Sequence, residues 1–221
     1  MGCQLSSQMT DFRSVEATEF RQAMQNLASG VAIVATGADT GRRGLTVSSV
    51  TSLCMDPPCL LVGINSSSET HGAILANGRF GVSLLGSEQH GLALRFAGRD
   101  GAKGSERFET ASWDQGVLGV PLLQTAIGAL ECVLHHHQMI GTHSLFIGRI
   151  VATRRSEGDP LVNFQGALRT LPQCRAQFPS RHEPERRDWM SAPSVGELPA
   201  RRKPNDDRGM LIRRHPADGA A

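Results

Sequence analysis

Apolar residues along this chain fall into short runs broken by glycine and polar clusters, a rhythm that suits strands better than long helices. One stretch has helical spacing. Phe20, Met24, Leu27 and Ala28 recur on one face, which predicts an amphipathic helix from Thr18 to Ala28, capped by Thr18 and ended by Gly30. Val31 to Thr36 is a continuous apolar run and predicts a buried strand. Gly37 to Gly44 is a turn rich in glycine and charge, so this strand and the next form a hairpin. Further strands are expected over 59–64, 80–85, 129–135 and 144–153, with a last short one within 161–171. Thr70 to Ala76 reads as a short helix closed by Asn77-Gly78, and a second helix starts at Ser87 and runs to Gly98. Arg99 to Trp113 reads as a long polar loop, of the kind that is a functional lid or disordered.

The pattern breaks at Gly44–Pro58. This stretch starts like a strand, with β-branched Thr46, Val47, Val50 and Thr51. It also carries five hydroxyl side chains in the seven residues from Thr46 to Ser52, too many for an ordinary buried strand. Hydroxyls beside freed backbone N–H groups make a surface suited to a phosphate or a polar heterocycle. Pro57 and Pro58 then stop the ladder, since neither has an N–H to donate. A Ser/Thr-rich edge strand followed by a proline turn is the alternative reading. A second hydroxyl cluster, Asn65-Ser66-Ser67-Ser68-Glu69-Thr70-His71, opens the short helix. Such residues are N-caps in the first place; a helix N-terminus with unpaired N–H groups is also an anion site.

The order of helix, strands, short helices and more strands is no βαβα alternation, and no Gly-x-Gly-x-x-Gly follows a strand. An antiparallel barrel with peripheral helices fits better. With 221 residues, one domain plus a tail is expected. Seven of eleven prolines lie from Pro172 onward, and residues 173–221 carry a charge of +3 against −1 for the rest. The reading is a disordered start over 1–15, a domain over 16–172 and a disordered Pro/Arg-rich tail over 173–221. The body gives no electrostatic reason to expect nucleic acid, and no apolar run has the length of a membrane helix. Met1-Gly2-Cys3 fits a short acylation pattern, against which a disordered start is preferred. Five cysteines without Cys-x-x-Cys indicate neither a disulfide framework nor a zinc site, and suggest a reducing, cytoplasmic setting.

Gly44-x-Thr46-x-Ser48-Ser49, then Ser52-Leu53, then Asp56-Pro57-Pro58 and an apolar strand resemble the short-chain flavin reductases. Phe80–Leu85, Phe96-Ala97-Gly98, Leu130-Glu131-Cys132 and Gly141-Thr142-His143 through Gly148 are similar to further motifs of that family, in the same order. The resemblance covers roughly Phe20 to Leu171. It implies a mainly β fold, an FMN-binding split β-barrel of Greek-key type with peripheral α-helices, assembled as a homodimer. It implies reduction of FMN or FAD by NADH or NADPH, with reduced flavin supplied to a partner monooxygenase. A non-catalytic flavin carrier on the same fold is the alternative.

On that resemblance, flavin contacts fall to Thr46, Val47, Ser48, Ser49, Thr51 and Ser52 at the ring edge, and to Asn65, Ser68 and Thr70 at the phosphate. Phe96 and Arg99 are assigned to flavin as well, and His143 and Arg169 to the nicotinamide nucleotide. No catalytic acid or nucleophile is required, because the cofactor carries the redox chemistry. Two departures stand out. Thr142 replaces the family's Asp, which removes a carboxylate that would orient His143. Ala167-Leu168-Arg169 lacks the family's aromatic residue, in a chain without tyrosine. His135 and His137 share a face if the strand is regular, yet no further ligands are evident, so an exposed strand end is preferred to a metal site. Cys54 and Cys59 read as buried packing residues without a positive neighbour.

Overall fold

The computed structural model describes residues 13–171. Residues 1–12 of the start expected to be disordered over 1–15, the tail from 173, the Met1-Gly2-Cys3 pattern, and Cys174 lie outside the described residues. Helix α1 (Ala17–Met24) is followed by β1 (Ser29–Gly30), β2 (Ala32–Thr36), β3 (Arg43–Val47), β4 (Thr51–Met55) and β5 (Pro58–Asn65). Then come α2 (Glu69–Asn77), β6 (Arg79–Leu84), α3 (His90–Phe96), β7 (Trp113–Gln115) and β8 (Pro121–Leu123). Two long strands, β9 (Gly128–Ile140) and β10 (His143–Arg155), precede β11 (Leu161–Phe164) and β12 (Ala167–Thr170).

Among the described residues, the main sheet has seven antiparallel strands in the order β3-β2-β6-β9-β10-β5-β4. Its two edge strands, β3 and β4, are neighbours in sequence, joined only by Ser48, Ser49 and Val50. The four steps from Val47 to Thr51 span roughly 14 Å at most, so the sheet must curl until its edges come close. The result is a barrel with one seam, and the chain is a mainly β split barrel with peripheral helices. β11 lies between β1 and β12 in a smaller sheet, and β7 pairs with β8.

The core forms on both faces of β2. Ala32 and Val34 join a cluster with Val62, Ile64, Ile74, Phe80, Val82 and Phe146. Ile33 and Ala35 join another with Leu85, Phe96, Phe108, Leu123 and Leu161. A strand covered on both sides reads as an unbroken apolar run, as Val31–Thr36 does.

Three elements differ from expectation. α1 ends at Met24, before the predicted Ala28, and buries nothing; Phe20 and Leu27 are each 58% exposed. The proline pair does not end the ladder. Asp56 and Pro57 form the turn of the β4–β5 hairpin, through a cis Asp56–Pro57 peptide, and Pro58 opens β5 opposite Met55. The interruption falls earlier, at Ser48–Val50. The loop from Arg99 to Trp113 is held down by two arginines. Arg95 binds Asp100 at 2.7 Å and donates to the Glu106 carbonyl, while Arg107 donates to the carbonyls of Gly44, Phe96 and Ala102. Phe108 is thereby seated against Phe96 and Trp113.

Candidate functional site

The seam decides which groups of the first hydroxyl cluster are accessible. Thr46 is turned toward α3, where its hydroxyl donates to the Ala93 carbonyl at 2.7 Å. Val47 is buried in the core, so its backbone alone could meet a ligand. Ser48 and Ser49 are exposed. The Ser49 hydroxyl donates to the Gly63 carbonyl at 2.8 Å and accepts from the Gly63 N–H at 3.2 Å. One side chain thus substitutes for a strand neighbour on β5 and ties the seam. Thr51 and Ser52 are exposed on edge strand β4.

Gly63 lies two residues before Asn65, about 7 Å along β5, so the two hydroxyl clusters are near neighbours. Asn65 Oδ1 accepts from the Ser67 N–H and hydroxyl. The Ser68 hydroxyl accepts from the His71 N–H at 3.2 Å, an N-cap of α2. Thr70 is buried. Glu69 pairs with Arg43 at 3.0 Å, which fastens the start of α2 to β3.

His143 stands across from Asn65 in the β10–β5 ladder and is exposed. Its Nδ1 lies 3.0 Å from the Thr142 hydroxyl, so a neutral group occupies the position of the missing carboxylate. Ser66 binds the Thr142 carbonyl through both its N–H and its hydroxyl, fixing this turn against the second cluster. Ser66 went unassigned in the sequence, although it sits inside the cluster. So did His71, buried at the base of α2, with Nε2 2.8 Å from the Ser144 hydroxyl and its ring edge-on to Phe146. Burial, then the charge of His137, holds the His71 pKa below the ordinary imidazole value.

Asn65, Ser68 and His143 therefore gather at one end of β5, with Ser48 and Ser49 at the adjoining seam, while Thr70, expected at the phosphate, is buried and its hydroxyl has no free surface for a ligand. Phe96 does not join them. Its ring is enclosed by Phe108 and Trp113 and is 1% exposed, so it has no free surface for a flavin. Arg99 is exposed beyond α3, and Arg169 lies on β12 in the smaller sheet. The histidine run also departs from regular alternation. His136 pairs with Ile147 and Leu134 with Gly148, which leaves His135 in a β-bulge, while His137 stacks on Phe146.

A cleft of about 470 Å³ adjoins the seam, lined by Ser48 and Ser49, by Arg21, Met24 and Leu27 from the α1 region, and by Asn163 and Gln165. Clefts of similar size lie beside Asp114 and Arg154 and beside Gln89 and Arg95. Neither touches the hydroxyl clusters, and chemistry favours the seam cleft.

The family model described as flavin reductase like domain matches residues 24–172. The chain belongs to the flavin reductase family. It is 36% identical over 163 residues to the FMN reductase (NADH) RutF of Stutzerimonas stutzeri strain A1501, covering 73% of this chain and 91% of the relative. It is 39% identical over 128 residues to the 4-hydroxyphenylacetate 3-monooxygenase reductase component of Salmonella typhimurium, covering 58% and 75%. Among solved structures it is similar to the NADH:FAD oxidoreductase SgcE6 of Streptomyces globisporus C-1027, with a TM-score of 0.66, 27% identity, and coverage of 73% and 98%. In this flavin reductase family member, the open seam and the paired hydroxyl clusters have the chemistry that a flavin's polar ring edge and phosphate require.

Proposed function

We propose that this protein reduces FMN with NADH and releases the reduced flavin to a separate oxygenase component. The observation that carries the reading is the seam at Ser48–Val50, where backbone leaves the ladders beside the cleft and a second hydroxyl cluster lies one short step along β5. In this reading the backbone of Ser48–Val50 orients the isoalloxazine edge, with Thr51 and Ser52 beside it. Asn65, Ser68 and the first N–H groups of α2 hold the phosphate. His143, across from Asn65, positions the nicotinamide nucleotide. The flavin, when bound, supplies the hydride-accepting centre, and the chain's task is to hold both partners and exclude water. The choice of FMN and NADH follows the relatives named FMN reductase (NADH).

A second copy of the chain completes the molecule in the same reading. Exposed Met139 and Ile140 at the end of β9 give an apolar surface suited to a homodimer. Sedimentation at micromolar concentration is expected to give twice the chain mass; a monomer that still reduces flavin would remove the dimer. The setting is cytoplasmic, in line with free Cys54, Cys59 and Cys132. The decisive test is steady-state oxidation of NADH by purified protein, with and without added FMN. Flavin-dependent turnover supports the reductase. Flavin binding without turnover makes the protein a carrier instead.

A further inference from the structure

The β4–β5 hairpin carries two thiols in register. Cys54 pairs with Cys59, one step out from the two-residue turn. Facing Cα atoms of an antiparallel ladder lie roughly 4.5–5.5 Å apart. Disulfides span about 4.4–6.8 Å between Cα atoms. The Cys54 thiol donates to the Pro57 carbonyl at 3.1 Å, and Cys54 is near enough to raise the Cys59 pKa. Their surroundings differ from the sequence reading of two buried packing residues: Cys59 is buried, but Cys54 is exposed. Cys59 also has a positive neighbour, since Arg149 stands opposite it on β10.

We propose that Cys54 and Cys59 form a peroxide-sensitive dithiol that closes to a disulfide across the β4–β5 hairpin. Cys54, at the surface, meets peroxide first. Its thiolate attacks one peroxide oxygen; an S–O bond forms, the O–O bond breaks, and water leaves, giving a sulfenic acid. The Cys59 sulfur then attacks the Cys54 sulfur; the S–S bond forms, the S–O bond breaks, and a second water leaves. The cysteines together lose two electrons, which the peroxide oxygens gain. Burial, then neighbouring Cys54, raises the Cys59 thiol, and Arg149 opposes that shift. Cys59 is thus the resolving partner and not the first target. Cys132 is an internal control, because burial pushes its thiol up to about 12.

The oxidant has a source in the proposed activity, on which this part rests. Reduced flavin not taken up by an oxygenase gives two electrons to dioxygen and makes hydrogen peroxide. β4 is the edge strand that leaves the seam, so a crosslink there marks the protein when its flavin goes unused.

The test uses the full chain with Cys3→Ser and Cys174→Ser, treated with hydrogen peroxide and mapped by mass spectrometry. The expected product is a Cys54–Cys59 linked peptide that has lost two hydrogen atoms, is restored by dithiothreitol, and leaves Cys132 unmodified. Adding Cys59→Ser should arrest Cys54 as a sulfenic acid that dimedone traps. Three results would overturn the proposal: Cys54 advancing to sulfinic acid beside free Cys59, disulfide-linked dimers through Cys54, or no reaction at peroxide that oxidises free glutathione. A parallel arm supplies NADH and FMN in air, with and without catalase. Closure that catalase prevents supports the internal source. Closure with added peroxide but none in an arm without turnover keeps the dithiol and sinks the flavin reductase reading.

Discussion

His143 and His71 lie on neighbouring strands and helices of the same end of the barrel, yet their environments assign them opposite tasks. His143 is exposed, with a hydroxyl in place of a carboxylate at Nδ1. His143→Ala should leave flavin affinity nearly unchanged and raise the KM for NADH a few-fold to about tenfold, the loss of one hydrogen bond worth about 0.5–1.5 kcal/mol. Equal loss of flavin binding, read by fluorescence titration, would remove its assignment to the nucleotide. His71 is buried, and its folded pKa is below the ordinary 6.5. The unfolded chain therefore takes up the proton first as pH falls. The stability tied to neutral His71 is complete above pH 6.5 and is lost as pH drops from there through the lower folded value. Urea midpoints measured from pH 8 to pH 5, about the range where imidazole titrates, should fall for the natural chain and fall less for His71→Asn. An identical slope in both would assign the effect to other groups. At this scale the sequence showed which residue types cluster and little about which hydroxyls are accessible. Thr46 and Ser49 look alike in the string; one is turned to an α3 carbonyl and the other to the seam.

Among elements, buried strands were the plainest to read, because β2 and β5 are largely apolar runs covered on both faces or nearly so, and β6 is apolar but for Arg79 and buried Ser83. β4 was legible only as the alternative of a Ser/Thr-rich edge strand before a proline turn: all five of its residues are exposed, and a strand without a buried face has no alternation to mark it. The loop after α3 was misread because its order comes from arginine–carbonyl bonds formed only after folding. Gly148, inside β10, is the element-level weak point. A Cβ there would come 2.5 Å from Phe80 Cζ and 2.8 Å from Cys132 Cβ, both buried. Gly148→Ala should destabilise by about 1–3 kcal/mol through overpacking, seen as a lower denaturation midpoint with the β signal retained. An unchanged midpoint would mean that the strand bulges there at no cost.

For the whole molecule, the split barrel and the family were readable because motif order survives where single motifs are weak. The seam was not, since it is a relation between strands at opposite ends of one sheet. Insertion of two glycines between Ser48 and Ser49 should keep the fold, because lengthening a short loop costs little chain entropy. It should weaken flavin binding tenfold or more, about 1.4 kcal/mol, by releasing the ring-edge backbone and the Ser49 latch on Gly63. Unaltered affinity would move the flavin elsewhere. The seam also has a place in time. β3 and β4 leave the ribosome three residues apart, so the two edges are tethered from the start, and the ring closes when β6, β9 and β10 join β2 to β5. Once closed, the junction has a serine side chain on Gly63 where other strand pairs have a backbone ladder, so it is the thinnest join of the ring. Local opening is therefore expected where the flavin is proposed to enter and leave, with faster amide exchange at Gly63 than at the β9–β10 ladder as its sign.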